Sequence, residues 1–272
     1  MGQIRQPAVA GQFYPLSAQD LRKQISSFSD KQEVVREAAI ACMLPHAGYM
    51  YSGAVAYSVV SRIELKPVAL VLGPNHTGRG RPFSIMDEGS WVTPLGSVAI
   101  HTSLAKKLLK KSSLLQSDYL AHQMEHSIEV ELPLLQYFKN DFSFVPIVIG
   151  GNDFKDYEQL GLKIASSIQE LHLEKDTLIV ASSDMTHYED AQAAKTKDSQ
   201  AIRSILELDA LGLWEKVREL DITMCGYAPA IVMITAAKAL GAQKGELIKY
   251  QTSGDVTADN SSVVGYAGII VR

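Results

Sequence analysis

The runs VALVLG (68–73) and TLIVAS (177–182) are apolar or small at every position, without the alternation of a strand exposed on one face. Strands of that kind lie in sheets covered on both sides by helices. Similar short runs predict strands near 39–44, 144–149, 246–251 and 263–271. Between the strands, apolar residues recur at helical spacing near 17–29, 52–63, 103–112, 124–138, 155–171, 191–206, 209–219 and 228–240. This alternation predicts an α/β fold: a three-layer α/β/α sandwich around a mostly parallel sheet. The segments GELIKYQTSG and VVGYAGIIVR predict an antiparallel pair at one edge, making the sheet mixed. No linker, low-complexity tract or internal repeat breaks the pattern, so residues 1–272 are read as a single domain.

Three of the predicted strands end alike. IACMLPHAGY runs from an apolar stretch into Pro45 and His46, VALVLGPNHTG into Asn75 and His76, and TLIVASSDMTHY into Asp184 and His187. Ligand sites in open α/β sheets form at the carboxyl ends of parallel strands. A single histidine there is more often a hydrogen-bonded loop residue, but three at equivalent positions favour one shared pocket. Cys225 precedes a predicted helix whose first turn contains Pro229, a position that favours a thiolate. Cys42 sits inside a strand and is expected to be a buried structural thiol. In LAHQMEHSIEVELPLLQYF, His122 and His126 are four apart and could share a helix face, with His126 the better placed to reach a pocket.

These groups suit two chemistries. Two histidines with an anionic third ligand form a common catalytic metal arrangement, and His187 oriented by Asp184 could serve as an acid–base pair. A metal-free Cys225–His187 nucleophile couple is the weaker reading, because it leaves His46 and His76 without a role.

Composition narrows the setting. With 272 residues, 46% hydrophobic and 21% charged, the chain is of ordinary globular type. A net charge of −4 offers no basic footprint for nucleic acid. The cluster Lys106, Lys107, Lys110 and Lys111 reads as a solvated helix face, and GPNHTGRGRP, with Arg79 and Arg81, as a solvated turn rather than a P-loop. Two distant cysteines exclude a disulfide scaffold. No apolar run is long enough to span a membrane, the first residues lack a signal-peptide pattern, and Gln6 breaks the myristoylation pattern. A cytoplasmic location is expected.

The motifs PHAGYMYSG, LGPNH, EHSIEVELP, SSDMTHY, MCGYAP and DNSSVVGYAG, in this order over nearly the whole chain, resemble the Memo family. Its prokaryotic members are called AmmeMemoRadiSam system protein B. The resemblance implies a fold like that of class III extradiol ring-cleaving dioxygenases. It implies metal ligands at His46, His76 and Cys225, with Asp184 and His187 beside them and His126 at the rim. The ring-cleaving enzymes use two histidines and a glutamate on iron(II). Cysteine in place of the carboxylate points instead to a mononuclear iron or copper centre, ahead of zinc, in a redox or oxygenase-like protein of unnamed substrate. Tyr51 and Phe13 are implied as ligand-binding aromatics for a small molecule or peptide. A functional link to a radical-SAM protein and an AMMECR1-like protein is also implied. The competing readings are a binding module without catalysis and a zinc hydrolase.

Overall fold

The structure, a computed structural model, describes residues 2–29 and 35–272. Its elements in chain order are β1 (Ile4–Arg5), α1 (Ala18–Ser27), β2 (Ala41–Leu44), α2 (Tyr49–Val60), β3 (Val68–Pro74), β4 (Phe83–Ile85), β5 (Ser90–Thr93) and β6 (Gly96–Ile100). Then follow α3 (Thr102–Lys111), β7 (Gln116–Ser117), α4 (Leu120–Gln123), α5 (Glu131–Phe138), β8 (Ser143–Ile149), α6 (Phe154–Glu170), β9 (Thr177–Ser182) and β10 (His187–Glu189). The chain closes with α7 (Ala191–Leu206), α8 (Ala210–Glu219), α9 (Tyr227–Ala239), β11 (Gly245–Thr252), α10 (Gly254–Thr257) and β12 (Val263–Val271).

The centre of the sheet is β6-β8-β3-β9-β2, with every neighbouring pair parallel. Antiparallel β12 joins β2 and also pairs with β10 and β11, so the predicted terminal pair is present and makes the sheet mixed. Helices α1, α2 and α5 pack together on one side, while α3, α6, α7, α8 and α9 form a connected layer on the other. This is the predicted three-layer α/β/α arrangement. Every residue of β2, β3 and β9 is buried, as their unbroken apolar runs require.

The elements that pattern reasoning missed are short: β1, β4, β7, β10, the β5–β6 hairpin and the one-turn helices α4 and α10. One predicted helix is corrected. The segment 124–138 is not continuous, because residues 124–130 are irregular and only Glu131–Phe138 is helical. Pro133 explains the later start. A helix from residue 124 would put Pro133 in its interior, where it lacks the N–H to donate, whereas here it lies in the first turn. Among the described residues, no helix is long and apolar enough to cross a membrane.

Candidate metal centre

Strands β3, β9 and β2 are parallel neighbours, so their carboxyl ends open on the same edge. His76, Asp184 and His46 each follow two residues after the end of one of them. The ring centroids of His46 and His76 are 5.1 Å apart. His126 arrives from the turn before α5, stacks on His76 at 4.7 Å, and meets the His46 ring at 5.5 Å. One nitrogen from each of the three histidines lies within 4.8 Å of the others, forming a candidate metal triad. The expectation that His126 stands at the rim is thus refined: its geometry equals that of His46 and His76.

Hydrogen bonds from behind aim these rings. Buried Glu125 accepts from the His76 backbone N–H at 2.6 Å, from the His76 Nδ1 side at 2.9 Å, and from the Ser127 N–H at 3.0 Å. Burial alone would raise its pKa, but the His76 contact and charge and the Ser127 N–H outweigh burial and bring it down to about 2. His46 Nδ1 lies 2.8 Å from Ser182 Oγ. Burial, followed by the neighbouring histidines, pushes the His46 pKa well below its usual range. Burial likewise lowers that of His126. Neutral imidazole is the metal-binding form.

Cys225 Sγ lies 3.3 Å from His46 Nε2. It reaches this position because the turn before α9 presses on the end of β9: a Cβ on Gly226 would come within 2.4 Å of the Ser182 carbonyl oxygen. The expected thiolate is corrected. Burial and then the Asp184 charge push the Cys225 thiol up, against the helix N-terminus, so without a cation it keeps its proton. Cys42 is buried, as expected of a structural thiol.

The Asp184–His187 pair is also corrected. The Asp184 carboxylate accepts the backbone N–H groups of His46 at 2.8 Å and Ala47 at 3.3 Å. Burial nevertheless moves its pKa up to about 6. The group that orients His187 is a peptide carbonyl: its Nδ1 is 3.0 Å from the Thr223 oxygen. A carbonyl only accepts, so His187 Nδ1 carries the proton and Nε2 is left free.

His122 does not share a face with His126. It lies on α4, wholly buried beside Trp91 at 5.7 Å, and burial takes its pKa down to about 3. The sign follows from linkage. The unfolded chain binds this proton near the ordinary value of 6.5 and the folded chain only near 3. The His122 contribution is therefore full above pH 6.5 and falls between 6.5 and 3, by up to about 1.4 kcal/mol per pH unit. Urea unfolding between pH 4 and 7 should show a shallower slope in His122→Leu. An unchanged slope would clear this ring.

The histidines and Cys225 line a cleft of about 620 Å³ whose walls include Phe13, Tyr51, Tyr188 and Tyr266. Phe13 packs on His126 at 4.9 Å, and both predicted aromatics therefore border the cleft. Tyr188, beside His187, is 79% exposed and holds a φ of +61°, a conformation costly for a non-glycine residue. Arg79 and Arg81 lie on an exposed loop; Asn75 organises it by accepting from the Gly78 N–H and donating to the Arg79 carbonyl.

Sequence reasoning gave no role to Arg5, Glu129, Glu131 or Ser182. Arg5 and Glu129 are wholly buried and paired at 2.6 Å. Arg5 also donates to the carbonyls of His122 and Glu125, both at 2.7 Å, and so ties the N-terminal strand to the segment that presents Glu125 and His126. The signal in the sequence was that Glu129 and Glu131 alternate with Ile128, Val130 and Leu132, which places acids inside an apolar run.

Residues 5–270 match the family model described as Memo-like protein. The chain belongs to the Memo family. A MEMO1 family protein of Methanosarcina mazei is 43% identical over 271 residues, covering 99% of this chain and all of the relative. One from Aquifex aeolicus is 42% identical over 271 residues, covering 98% of each. Among solved structures, the uncharacterized protein JW3007 from Escherichia coli K12 superposes with a TM-score of 0.56 at 13% identity, over 85% of this chain and 98% of that one. That likeness concerns the fold. The Memo motifs quoted above supply nearly all the groups described: PHAGY His46, LGPNH His76, EHSIEVELP Glu125 and His126, and MCGYAP Cys225.

Proposed function

We propose that this Memo-family protein holds one transition-metal ion, iron or copper rather than zinc, in the cleft and carries out a redox or oxygenase-like reaction on a small-molecule ligand. The observation that carries this reading is the convergence of three imidazoles, His46, His76 and His126, within 4.8 Å. The donors fit the group. His46 Nε2 and Cys225 Sγ are 3.3 Å apart, and two such donors on one tetrahedral ion sit about 3.5 Å apart. His46 and His76 are the common ligands in this proposal, His126 completes the triad, and Cys225 joins from the His46 side once a cation displaces its proton.

A bound redox metal would supply electron transfer to the ligand or to oxygen. The rest falls to the chain. His187 is held through Nδ1 by the Thr223 carbonyl, which leaves Nε2 to take a proton from a ligand in the cleft. Asp184 pins the backbone of His46 and Ala47. Phe13, Tyr51 and Tyr266 provide apolar walls for the body of a ligand.

Cobalt(II) titration of metal-free protein tests the donor set. One equivalent should bind and give a thiolate-to-cobalt charge-transfer band in the near ultraviolet, absent in Cys225→Ala. The same spectrum in the variant would remove Cys225 and leave the three histidines. No uptake by the wild type would end the metal reading.

A further inference from the structure

Ser182 Oγ sits among three polar partners, all at hydrogen-bonding distance. His46 Nδ1 is 2.8 Å away, the Ser127 carbonyl oxygen 2.7 Å, and Glu131 Oε1 2.7 Å. A hydroxyl has one proton to donate and two lone pairs with which to accept. The Ser127 carbonyl can only accept, so it receives the Ser182 proton. The other two partners must then donate: His46 through Nδ1–H, and Glu131 through a carboxyl O–H.

The surroundings agree. Glu131 is wholly buried, and the charge it senses is that of another acid, Asp184. An ionised carboxylate there would face a second carboxylate in a dry interior, and would leave the Ser127 carbonyl opposite a hydroxyl lone pair. Burial, and then the Asp184 charge against the Ser182 hydrogen bond, leave the Glu131 pKa well above the usual carboxylate range.

We propose that Glu131, as a neutral acid acting through Ser182, holds His46 in the Nδ1–H tautomer and so presents the bare Nε2 to the cleft. Glu131 is then a positioning residue. A single segment orients both strand-end histidines by opposite means: Glu125, ionised, accepts from His76, while Glu131, protonated, locks His46 at one remove. Ser127 joins the two, since its N–H donates to Glu125 and its carbonyl accepts from Ser182. The purpose of the relay rests on the metal reading above, but its chemistry does not.

The test therefore begins with metal-free protein. Infrared difference spectra at pH 7 between wild type and Glu131→Gln should show one protonated-carboxyl C=O band that the variant lacks. Nitrogen-15 NMR should place the His46 proton on Nδ1 in the wild type and in E131Q, whose amide N–H can still donate to Ser182. Ser182→Ala, which removes the acceptor, should lose that tautomer preference. In zinc competition with a chromophoric chelator, S182A should bind about 10–100-fold more weakly and E131Q within a few-fold of wild type. Absence of the carboxyl band, or an E131Q tautomer matching that of S182A, would overturn the relay. The tautomer and the band without any zinc uptake would overturn the metal reading and leave the relay standing.

Discussion

Replacing Arg5 by alanine is expected to destabilise the protein by about 3–5 kcal/mol, the usual cost of removing one partner of a buried ion pair. The Arg5 side chain has no exposed surface. Its guanidinium pairs with Glu129, donates to the carbonyls of His122 and Glu125, and lies 4.1 Å from the centre of the Trp91 ring. Glu129 would keep its other donors, the Ala8 and Val9 N–H groups and the Tyr14 hydroxyl at 2.5 Å, but lose its counter-charge. The His122 and Glu125 carbonyls would lose this donor at the same time. Because both belong to the segment that carries Glu125 and His126, metal uptake should weaken along with stability. Urea unfolding of the wild type, Arg5→Ala and Arg5→Met reads the result. Met restores volume without charge, so a loss common to both variants would assign the effect to the ion pair. A loss below about 1 kcal/mol in Arg5→Ala would show that the pair is nearly neutral to stability.

Glu125→Ala should lower metal affinity by about 10–100-fold, the usual effect of losing the group that orients a ligating histidine. Glu125 accepts from three donors, and two of them belong to His76. Without it, the His76 ring, whose side chain is 32% exposed, is free to turn toward solvent. The buried Ser127 N–H would be left unpaired, which costs a further loss of about 1–3 kcal/mol. Zinc competition measures the first effect and urea unfolding the second. Affinity equal to wild type would show that the His76 orientation is fixed by its backbone alone.

The two orientation errors in the sequence reading share one cause. Asp184 and His187 are three residues apart and look like a pair, yet the turn between them sends Asp184 inward to the His46 backbone and His187 outward to Thr223. His122 and His126 are four apart and would share a face only if the segment were helical. The donors of Arg5 and the position of Pro133 keep the helix from starting before Glu131. Both errors concern which neighbour a polar side chain finds, and that depends on residues distant in the chain, 36 positions for His187 and Thr223 and 138 for Asp184 and His46.

Cys225 shows the same limit from the energetic side. A cysteine next to a helix N-terminus reads as a thiolate, but the pKa depends also on desolvation and on which charges fold in beside it. Here desolvation of the half-buried thiol and the Asp184 charge outweigh the helix.

What the sequence determined by itself was the sandwich and where its candidate site would lie. Unbroken apolar runs demand a sheet covered on both faces, and small residues followed by histidine at strand ends mark its carboxyl edge. Both features are local in the chain, so hydrophobic patterning is enough to reveal them. Tertiary structure alone decided the order β3-β9-β2 that brings His46 and His76 together, the entry of His126 as their equal, and the buried acids behind them. Those depend on strand order and on the path of one irregular segment. Glu129 is paired with Arg5, 124 residues away, and Glu131 with Ser182, 51 residues away, and no period along the chain encodes such partners.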